Sequence, residues 1–451
     1  KKNDDSNDDE GHDDDEDKSL ERYPEMLTPT TKKSTKPKKE AIKKPVNYHK
    51  KKPYGLVSFI PIRKNISTGS YEKLISFELK ISFEQDHFNK KSTNLTQQYV
   101  PNSVLATGDW HKLSLSQNGV YKITYAMMKD MGVNIDAINP QNIRIFGNGG
   151  GMLPKLNSIA RPDDLLENAI QVIGETDGSF DPADYVLFYG ESPHHWSYNS
   201  SDGRYHHQIH DYSNSNYYFL TTSGGTGAPK RISSQASLLT ENTVVSSFDD
   251  YAFHEADLYN LIISGREWFG EHFDNNVLSY NFPFSFPNIL DSVYLKISLA
   301  GRVLSPNNGS FTVTANTSTL TGLNLSMGNV GQGNYLLPKA KLVSDEIVFS
   351  PGSSAINIEI SFNNTETSSE GWLNYLELNT RRNLNMSGNQ ILFRDARSVG
   401  SGNLSKFVLN EINSSATIWE VTDPSNVVSQ QYNPTGSSSP SASSSSSSKS
   451  G

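Results

Sequence analysis

The amino-acid sequence predicts a mainly β protein. We expect a β-rich N-terminal domain with one or two short helices, then a β-sandwich or jelly-roll-like domain, with disordered tails at both ends. Short segments with alternating apolar residues recur from about residue 104, and glycine, proline, asparagine and aspartate lie between them. Helical spacing of apolar residues is limited to two segments. Both ends consist largely of charged residues or serine, which supply little apolar surface for a core.

The composition limits the kinds of site that these residues can form. The 451 residues suffice for two or three domains, and 35% hydrophobic and 10% aromatic content supports packed cores. No apolar run reaches about 18 residues, so no membrane-spanning helix is predicted. Cysteine is absent, which excludes disulfides, thiolate metal sites and a cysteine nucleophile from this sequence. Without an initial Met or a signal-peptide core, the chain is expected to be a fragment or a processed form.

Residues 1–52 are predicted to be a disordered tail. Ten acidic residues lie between Asp4 and Asp17, and ten lysines lie between Lys32 and Lys52, within a chain of net charge −9. Blocks of like charge repel one another and stay solvated. A lysine run also suits nucleic acid or an anionic membrane, but the solvated tail explains it sufficiently, and no nucleic-acid partner is expected.

The next two segments are predicted to be strands with one helix. Residues 53–100 form a strand-like lead-in, where LVSFIPIRKN and LISFELKISFEQ indicate one β-hairpin. The β-rich domain covers 101–235 and begins with two strands around Asn118-Gly119, a pair that favours a hairpin. A short helix follows, capped by Thr124 and ended by Gly132. Further strands are predicted at Ile143–Phe146, Ala169–Ile173, Tyr185–Tyr189 and Tyr217–Thr221.

The second domain is predicted to span 236–425. It begins with a helix over 248–262, where apolar residues recur at helical spacing. Within it, the HEADL stretch lacks the second histidine of a zinc-peptidase motif, because Leu258 stands there and is assigned to the core. Seven or eight short strands follow, including NQILFRD (389–395), which is typical of a sandwich or jelly roll. Residues 426–451 are predicted to be a flexible, serine-rich tail.

A glycine-rich loop, RIFGNGGGMLP (144–154), follows one of the predicted strands. A phosphate-binding loop requires a helix directly after the glycines. Here Pro154 and a polar segment follow, and the Lys-Ser/Thr pair is missing. We therefore assign Gly147, Gly149 and Gly150 a structural role, in a turn with positive φ that lets backbone segments pack closely.

An acidic loop is a candidate calcium site. The stretch GETDGSFDPADY places Glu175, Asp177, Asp181 and Asp184 around a glycine, and hard cations bind such carboxylate-rich loops. The EF-hand spacing is not matched, and Asp-Gly and Asp-Pro are also common turn pairs. A turn between two strands is therefore the alternative.

Histidines are concentrated in one segment. Five of the eleven lie between His194 and His210. His206 and His210 are four residues apart, which suits a metal on a helix, whereas the preceding glycine, serines and asparagine favour a surface loop. No G-x-S-x-G motif is present, while paired glycosidase carboxylates would need no local signature. Four aromatic residues, Trp196, Tyr198, Trp268 and Phe269, are candidates for a sugar platform or for core or interface positions.

Several stretches together resemble one known family. They are GDWHKLSLSQNGVYKI (108–123), INPQNIRIFGNGGGMLP (138–154), RPDDLLENAI (161–170), DGSFDPADYVLFYGE (177–191), NYYFLTT (216–222), SGREWFGEHFD (264–274) and GWLNYLELNTRRNLNMSGNQILFRD (371–395). In this order, over about 104–425, they are similar to the region before the peptidase domain in sortases of the bacterial type IX secretion system. These sortases are gingipain-type cysteine peptidases.

The resemblance implies a location and a set of partners. Such a sortase lies on the extracellular face of the outer membrane, held by a β-barrel partner. It removes the C-terminal sorting domains of secreted cargo and joins the cargo to anionic lipopolysaccharide, using a Cys–His dyad in a following domain. Because this sequence has no cysteine and no such domain follows residue 426 in it, no catalytic residue is carried over and no activity is expected from these residues.

Two further expectations complete the prediction. Arg266, Glu267 and Trp268 are assigned to a contact that joins the two β-regions. The function is expected to be the non-catalytic part of a sortase; the alternatives are a cell-surface β-sandwich module that binds glycan or protein, and a metal-dependent module.

Overall fold

A computed structural model describes residues 47–49, 52–54, 62–64, 68–73, 100–156, 158–238, 240–262, 267–290, 292–304, 308–330, 339–364, 366–435 and 439–445. The chain divides into two compact units, residues 1–93 and 94–451. In the first, β1 (Asn47–His49) pairs antiparallel with β2 (Lys52–Tyr54), and β3 (Ile62–Lys64) with β4 (Tyr71–Lys73). The rest of the predicted lead-in, and most of the charged tail, lie outside the described residues.

The second unit begins with a β-region built from two small sheets. The elements between residues 110 and 235, not all of which belong to these two sheets, are β5 (Trp110–Leu115), β6 (Gly119–Thr124), α1 (Tyr125–Asp130), β7 (Arg144–Phe146), β8 (Glu167–Asn168), β9 (Ile170–Ile173), β10 (Tyr185–Gly190), β11 (His195–Asn199), β12 (Arg204–Gln208), β13 (Asn216–Thr221) and β14 (Ser233–Gln235). The sheet β6-β10-β9 and the sheet β5-β13-β7-β8 enclose, with α1, one apolar core. We call β5–β10, α1 and β13 the first β-region.

Short helical turns connect these strands. α1 begins where the Thr124 side chain accepts a hydrogen bond from the Met127 backbone amide, and Gly132 follows its end with φ of +86°. This helix is confirmed as the sequence predicted it. Single 3₁₀ turns lie at Val104–Ala106, Ile135–Ala137, Pro140–Asn142, Glu175–Asp177 and Ala396–Ser398. No helix in the described part of the chain is long and apolar enough to cross a membrane.

The hairpin predicted at Asn118-Gly119 is wrong, although both of its strands exist. β5 pairs with β13, and β6 pairs with β10, so the turn crosses from one sheet to the other. Neither Asn118 nor Gly119 has the positive φ that a two-residue hairpin turn requires. The Asn118 side chain instead accepts a hydrogen bond from the Ser192 amide, 2.7 Å.

The following elements form an antiparallel sandwich. They are β15 (Thr243–Val245), β16 (Ser247–Glu255), β17 (His272–Phe273), β18 (Ser279–Ser285), β19 (Val293–Arg302), β20 (Gly309–Ala315), β21 (Ser318–Thr319), β22 (Ser326–Met327), β23 (Lys341–Phe349), β24 (Ala355–Asn363) and β25 (Glu370–Asn383). One sheet is β16-β25-β19-β23 with β17, and the other is β18-β24-β20-β21 with β22. Alternate residues of both sheets enclose the larger core, as in β20 and β24. The mainly β fold is thus confirmed.

The helix predicted over 248–262 is wrong. Residues 247–255 form β16, which pairs along its whole length with β25. Phe248 is buried in one cluster and Ala252 packs against the sandwich core, while Tyr251 and Phe253 contact aromatic rings on the other face. A strand covered on both faces loses its polar alternation, so its apolar spacing imitated that of a helix.

Two small sheets close the chain. They contain β26 (Leu404–Val408), β27 (Ile418–Glu420), β28 (Val428–Gln430), β29 (Tyr432–Thr435) and β30 (Ser439–Ser445); β14 runs parallel to β28, and β15 parallel to β26. The serine-rich segment, which was expected to be flexible, forms β30. Its backbone pairs with that of β26, and backbone hydrogen bonding does not require apolar side chains. NQILFRD is not a strand, although Ile391 and Phe393 still pack into a cluster.

Candidate functional site

The histidine-rich segment forms a hairpin that lies on the outer face of the sandwich. Strands β11 and β12 pair antiparallel, and the turn between them includes Gly203 with φ of +72°. Trp196 stacks on Tyr251 with ring centroids 3.9 Å apart, and His207 stacks on Phe253 at 4.5 Å. The segment is therefore an aromatic-rich hairpin, and not the surface loop or the helical metal site that its sequence suggested. We call residues 195–208 the histidine hairpin.

Charged hydrogen bonds join the histidine hairpin to two strands of the sandwich. His207 Nδ1 lies 2.6 Å from Glu377 Oε2, and His207 Nε2 lies 2.7 Å from Glu255 Oε2. His206 Nδ1 lies 2.7 Å from Glu377 Oε1, and its Nε2 lies 2.8 Å from Asp202 Oδ2. We call these five residues the His–Glu cluster.

The geometry assigns a protonation state to the His207 imidazole. An ionised carboxylate only accepts hydrogen bonds, so every ring nitrogen beside one must donate. Both nitrogens of His207 face carboxylate oxygens, which requires the doubly protonated form. Neither nitrogen of His207 is then left to act as a general base.

The electrostatics of the cluster agree with this state. Burial alone would lower the pKa of His207, but the hydrogen bonds and charges of Glu255 and Glu377 outweigh it and raise that pKa above 6.5. Burial would likewise raise the pKa of Glu377, whereas hydrogen bonds from His207 and His206 bring that pKa below 4.5. The side chains of His207 and Glu377 are only 4% and 2% exposed, so these charges are screened little by water.

A cleft of about 650 Å³ opens beside the cluster, between the histidine hairpin and Glu255, Asp257, Glu267 and Trp268. Asp211, Asp257 and Glu267 add acidic groups to its walls, while Lys296 is the one lysine or arginine among its described lining residues. Burial and the charges of Glu255 and Asp211 raise the pKa of Asp257. The cleft is therefore polar and carries an excess of carboxylates.

The segment expected to join the β-regions contributes to this cleft. Arg266 lies outside the described residues. Glu267 and Trp268 line the cleft, and Trp268 is 41% exposed. The buried aromatic is the next residue, Phe269, which packs in a cluster with Ala300 and Trp372. Leu258, assigned to the core by the helical interpretation, is 61% exposed.

The four carboxylates of the acidic loop are not brought together. Glu175 forms an ion pair with Arg231 at 2.8 Å. Asp177 and Asp184 accept hydrogen bonds from the backbone amides of Ser179 and Asp181, at 3.0 Å and 2.7 Å, as turn residues do. Among the described residues, no three His, Asp or Glu side chains are arranged to hold a metal ion.

The glycine loop packs against the first β-region. A Cβ at Gly147 would overlap the buried ring of Tyr218, and Gly149 has φ of +76°. The Gly150 amide donates to Glu191 Oε2 at 3.2 Å, so this loop faces a carboxyl group and not a site for an anion. Burial raises the pKa of Glu191.

Sequence reasoning missed the His–Glu cluster. Glu255 and Glu377 lie far from His206 and His207 in the chain, and β25 carries Glu377 among leucines without any motif. The signal that was present is the alternation of aromatic and histidine residues on either side of SSDG, which suits a hairpin.

Comparisons with known proteins identify a shared fold. No protein-family model and no curated protein matches the sequence. The crystal structure of dimeric latent PorU from Porphyromonas gingivalis matches with a TM-score of 0.61 and 22% identity, covering 76% of this chain and 31% of that chain.

Two insecticidal toxins of Bacillus thuringiensis match more weakly. The delta-endotoxin Cry8Ea1 has a TM-score of 0.21 and 13% identity, covering 52% of this chain and 41% of that chain. The larvicidal toxin Cry4Aa has a TM-score of 0.19 and 10% identity, covering 59% and 58%. These scores are too low to support an argument. The chain thus has the fold of part of PorU and spans 31% of the PorU chain that it matches.

Proposed function

We propose that this chain is the non-catalytic, β-rich region of a type IX secretion sortase related to PorU. The observation that carries the proposal is the shared fold over 76% of this chain. The order of the family-like stretches along the sequence agrees with it. The rest of a PorU-like protein would supply the cysteine peptidase, because this sequence contains no cysteine.

The proposed role is mechanical support. Two apolar cores, one in the first β-region and one in the sandwich, provide a rigid base on which a peptidase domain is held. In this role the chain serves the removal of cargo C-terminal sorting domains and the attachment of cargo to anionic lipopolysaccharide. A β-barrel partner would hold it at the extracellular face of the outer membrane.

The gene itself gives the first test. Genomic DNA beyond the codon for residue 451 is read in all three frames for a gingipain-like domain with its histidine and cysteine. In a strain that carries such a gene, in-frame deletion of the codons for residues 104–425 should leave secreted cargo with its sorting domain, as measured by intact mass. Reintroducing the complete gene is the control. Normal cargo processing in the deletion strain would overturn the proposal.

The cleft favours a second candidate function, a surface module that binds glycan or protein. Its wall includes Trp268, a partly exposed indole of the kind that stacks on sugar rings, beside carboxylate and amide groups. A glycan array probed with the chain and with Trp268→Ala tests this function. Loss of a bound glycan in Trp268→Ala, with retention in Trp268→Phe, supports it. An array without specific binding contradicts glycan recognition.

A further inference from the structure

The histidine hairpin forms no backbone ladder with any other described strand. In the described part of the chain, β11 and β12 pair only with each other. An isolated two-stranded hairpin is at best marginally stable in water. The hairpin therefore depends on side-chain contacts: two hydrogen bonds between Asn379 and the Tyr205 backbone, at 2.8 and 3.0 Å, the aromatic stacks and the His–Glu cluster.

We propose that the His–Glu cluster is a proton-dependent switch that holds the histidine hairpin on the sandwich and releases it when His207 loses a ring proton. Glu377 accepts hydrogen bonds from both imidazoles and from the His207 amide, so it relies on the histidine hairpin for its partners. A neutral imidazole would turn a lone pair toward a carboxylate oxygen. The buried negative charge of Glu377 would then lack its positively charged partner, which is strongly unfavourable.

The titratable and charged groups around His207 set the direction of the switch. They are Glu255 on β16, Glu377 and Tyr375 on β25, Lys296 on β19, Asp202, Arg204 and His206 within the histidine hairpin, His194 just before it, His210 just after it, and Asp211, Asp257 and Glu267 in the cleft. Carboxylates outnumber cations in this set, so the surroundings favour the protonated ring. Lys296 and Arg204 are the permanent cations among them; the Arg204 guanidinium lies over the Tyr294 ring, and neither cation bridges Glu255 and Glu377 as His207 does.

The raised pKa of His207 determines how docking of the hairpin depends on pH. The stabilising contribution of His207 is fully present below pH 6.5 and is lost as pH rises through the raised pKa. Between pH 6.5 and the raised pKa, the proton on His207 changes the docking equilibrium by about tenfold per pH unit, and above the raised pKa the equilibrium no longer depends on it. Release uncovers the rings of Trp196, Tyr251 and Phe253 and removes one wall of the cleft.

The experiment uses the full chain between pH 6 and pH 9.5. Ring ¹⁵N shifts report the protonation of His207, and tryptophan emission, with Trp196→Phe as the reference that identifies the signal, reports undocking. We expect doubly protonated His207 at pH 6, then a shift of Trp196 emission to longer wavelength as the ring loses its proton. Circular dichroism should show the sandwich intact throughout.

Two variants separate the switch from a general loss of stability. His207→Gln should show the released emission already at pH 6 and no further change with pH. His254→Gln, on β16 next to Glu255 but paired with Glu271 at 2.8 Å outside the cluster, should keep the wild-type transition. A singly protonated His207 ring at pH 6, or an emission transition that survives in His207→Gln, would overturn the proposal.

Discussion

Adjacent aromatic residues at 268 and 269 have opposite surroundings. Phe269 is buried with Trp372, and its backbone bridges to Tyr259, whereas Trp268 lines the open cleft. Truncating a buried phenylalanine to alanine lowers the free energy of unfolding by about 3–5 kcal/mol. A substitution at an exposed position changes it by about 0.5 kcal/mol. We therefore expect Phe269→Ala to lower the free energy of unfolding in urea strongly and Trp268→Ala to change it little. If both variants lose the same free energy of unfolding, Trp268 has the structural role that the sequence predicted.

Arg381 is the centre of a buried ion network. Its guanidinium donates to Asp249 at 2.6 Å, to Asp395 and to Ser247. Removing one partner of a buried pair leaves uncompensated charge, so Arg381→Met should reduce the free energy of unfolding by about 3–5 kcal/mol. Lys406→Met, which breaks a more exposed pair with Glu241 at 3.0 Å, is the control and should reduce it far less than Arg381→Met does. Urea titrations at constant ionic strength measure both. A loss below that of the control would show that Arg381 contributes little.

At the scale of the element, the docking of the histidine hairpin has an acid limit as well as an alkaline one. Because the pKa of Glu377 is lowered, its contribution is present above pH 4.5 and is lost as pH falls through the lowered value. We expect Trp196 emission to stay constant from pH 6 to 4.5 and to shift below that range. Glu377→Gln should abolish the acid transition, and Glu359→Gln, on the opposite sheet, should leave it unchanged. An acid transition that persists in Glu377→Gln would assign it to another carboxyl group.

Individual elements show where sequence patterns are informative. Thr124, Gly132 and the strands β5–β7, β9, β10 and β13 were predicted because caps and alternation are local properties. The two-residue strand β8 was not predicted. The pairing partners of β5 and β6 were not predicted either, because a turn does not reveal which sheet its strands join. β16 was mistaken for a helix because cover on both faces removed its alternation. The glycine loop was assigned to packing, and its contacts with Tyr218 and Glu191 are of that kind.

At the scale of the whole molecule, the fold class was accessible from the sequence and the site was not. Strand patterns report local burial, so they indicate a β protein. The His–Glu cluster combines residues of the histidine hairpin with Glu255 on β16 and Glu377 on β25. More than a hundred residues separate these two glutamates in the sequence. No spacing rule applies to such an assembly. Only the topology, with β16 beside β25 and the histidine hairpin above them, brings the carboxylates to the imidazoles.

The same topology makes the histidine hairpin a mechanical link between two cores. It continues from β10 of the first β-region, and its rings pack on the sandwich through Trp196–Tyr251 and Tyr205–Tyr251 contacts at 3.9 and 5.0 Å. At pH 6.5 we expect the wild-type chain to unfold in one calorimetric transition. The double variant Trp196→Ala/Tyr205→Ala should separate it into two, because each core then unfolds with less coupling to the other. Tyr198→Ala, at an exposed hairpin position, should keep one transition. If the double variant also unfolds in one transition at a lower temperature, the other contacts between the cores are sufficient to couple them.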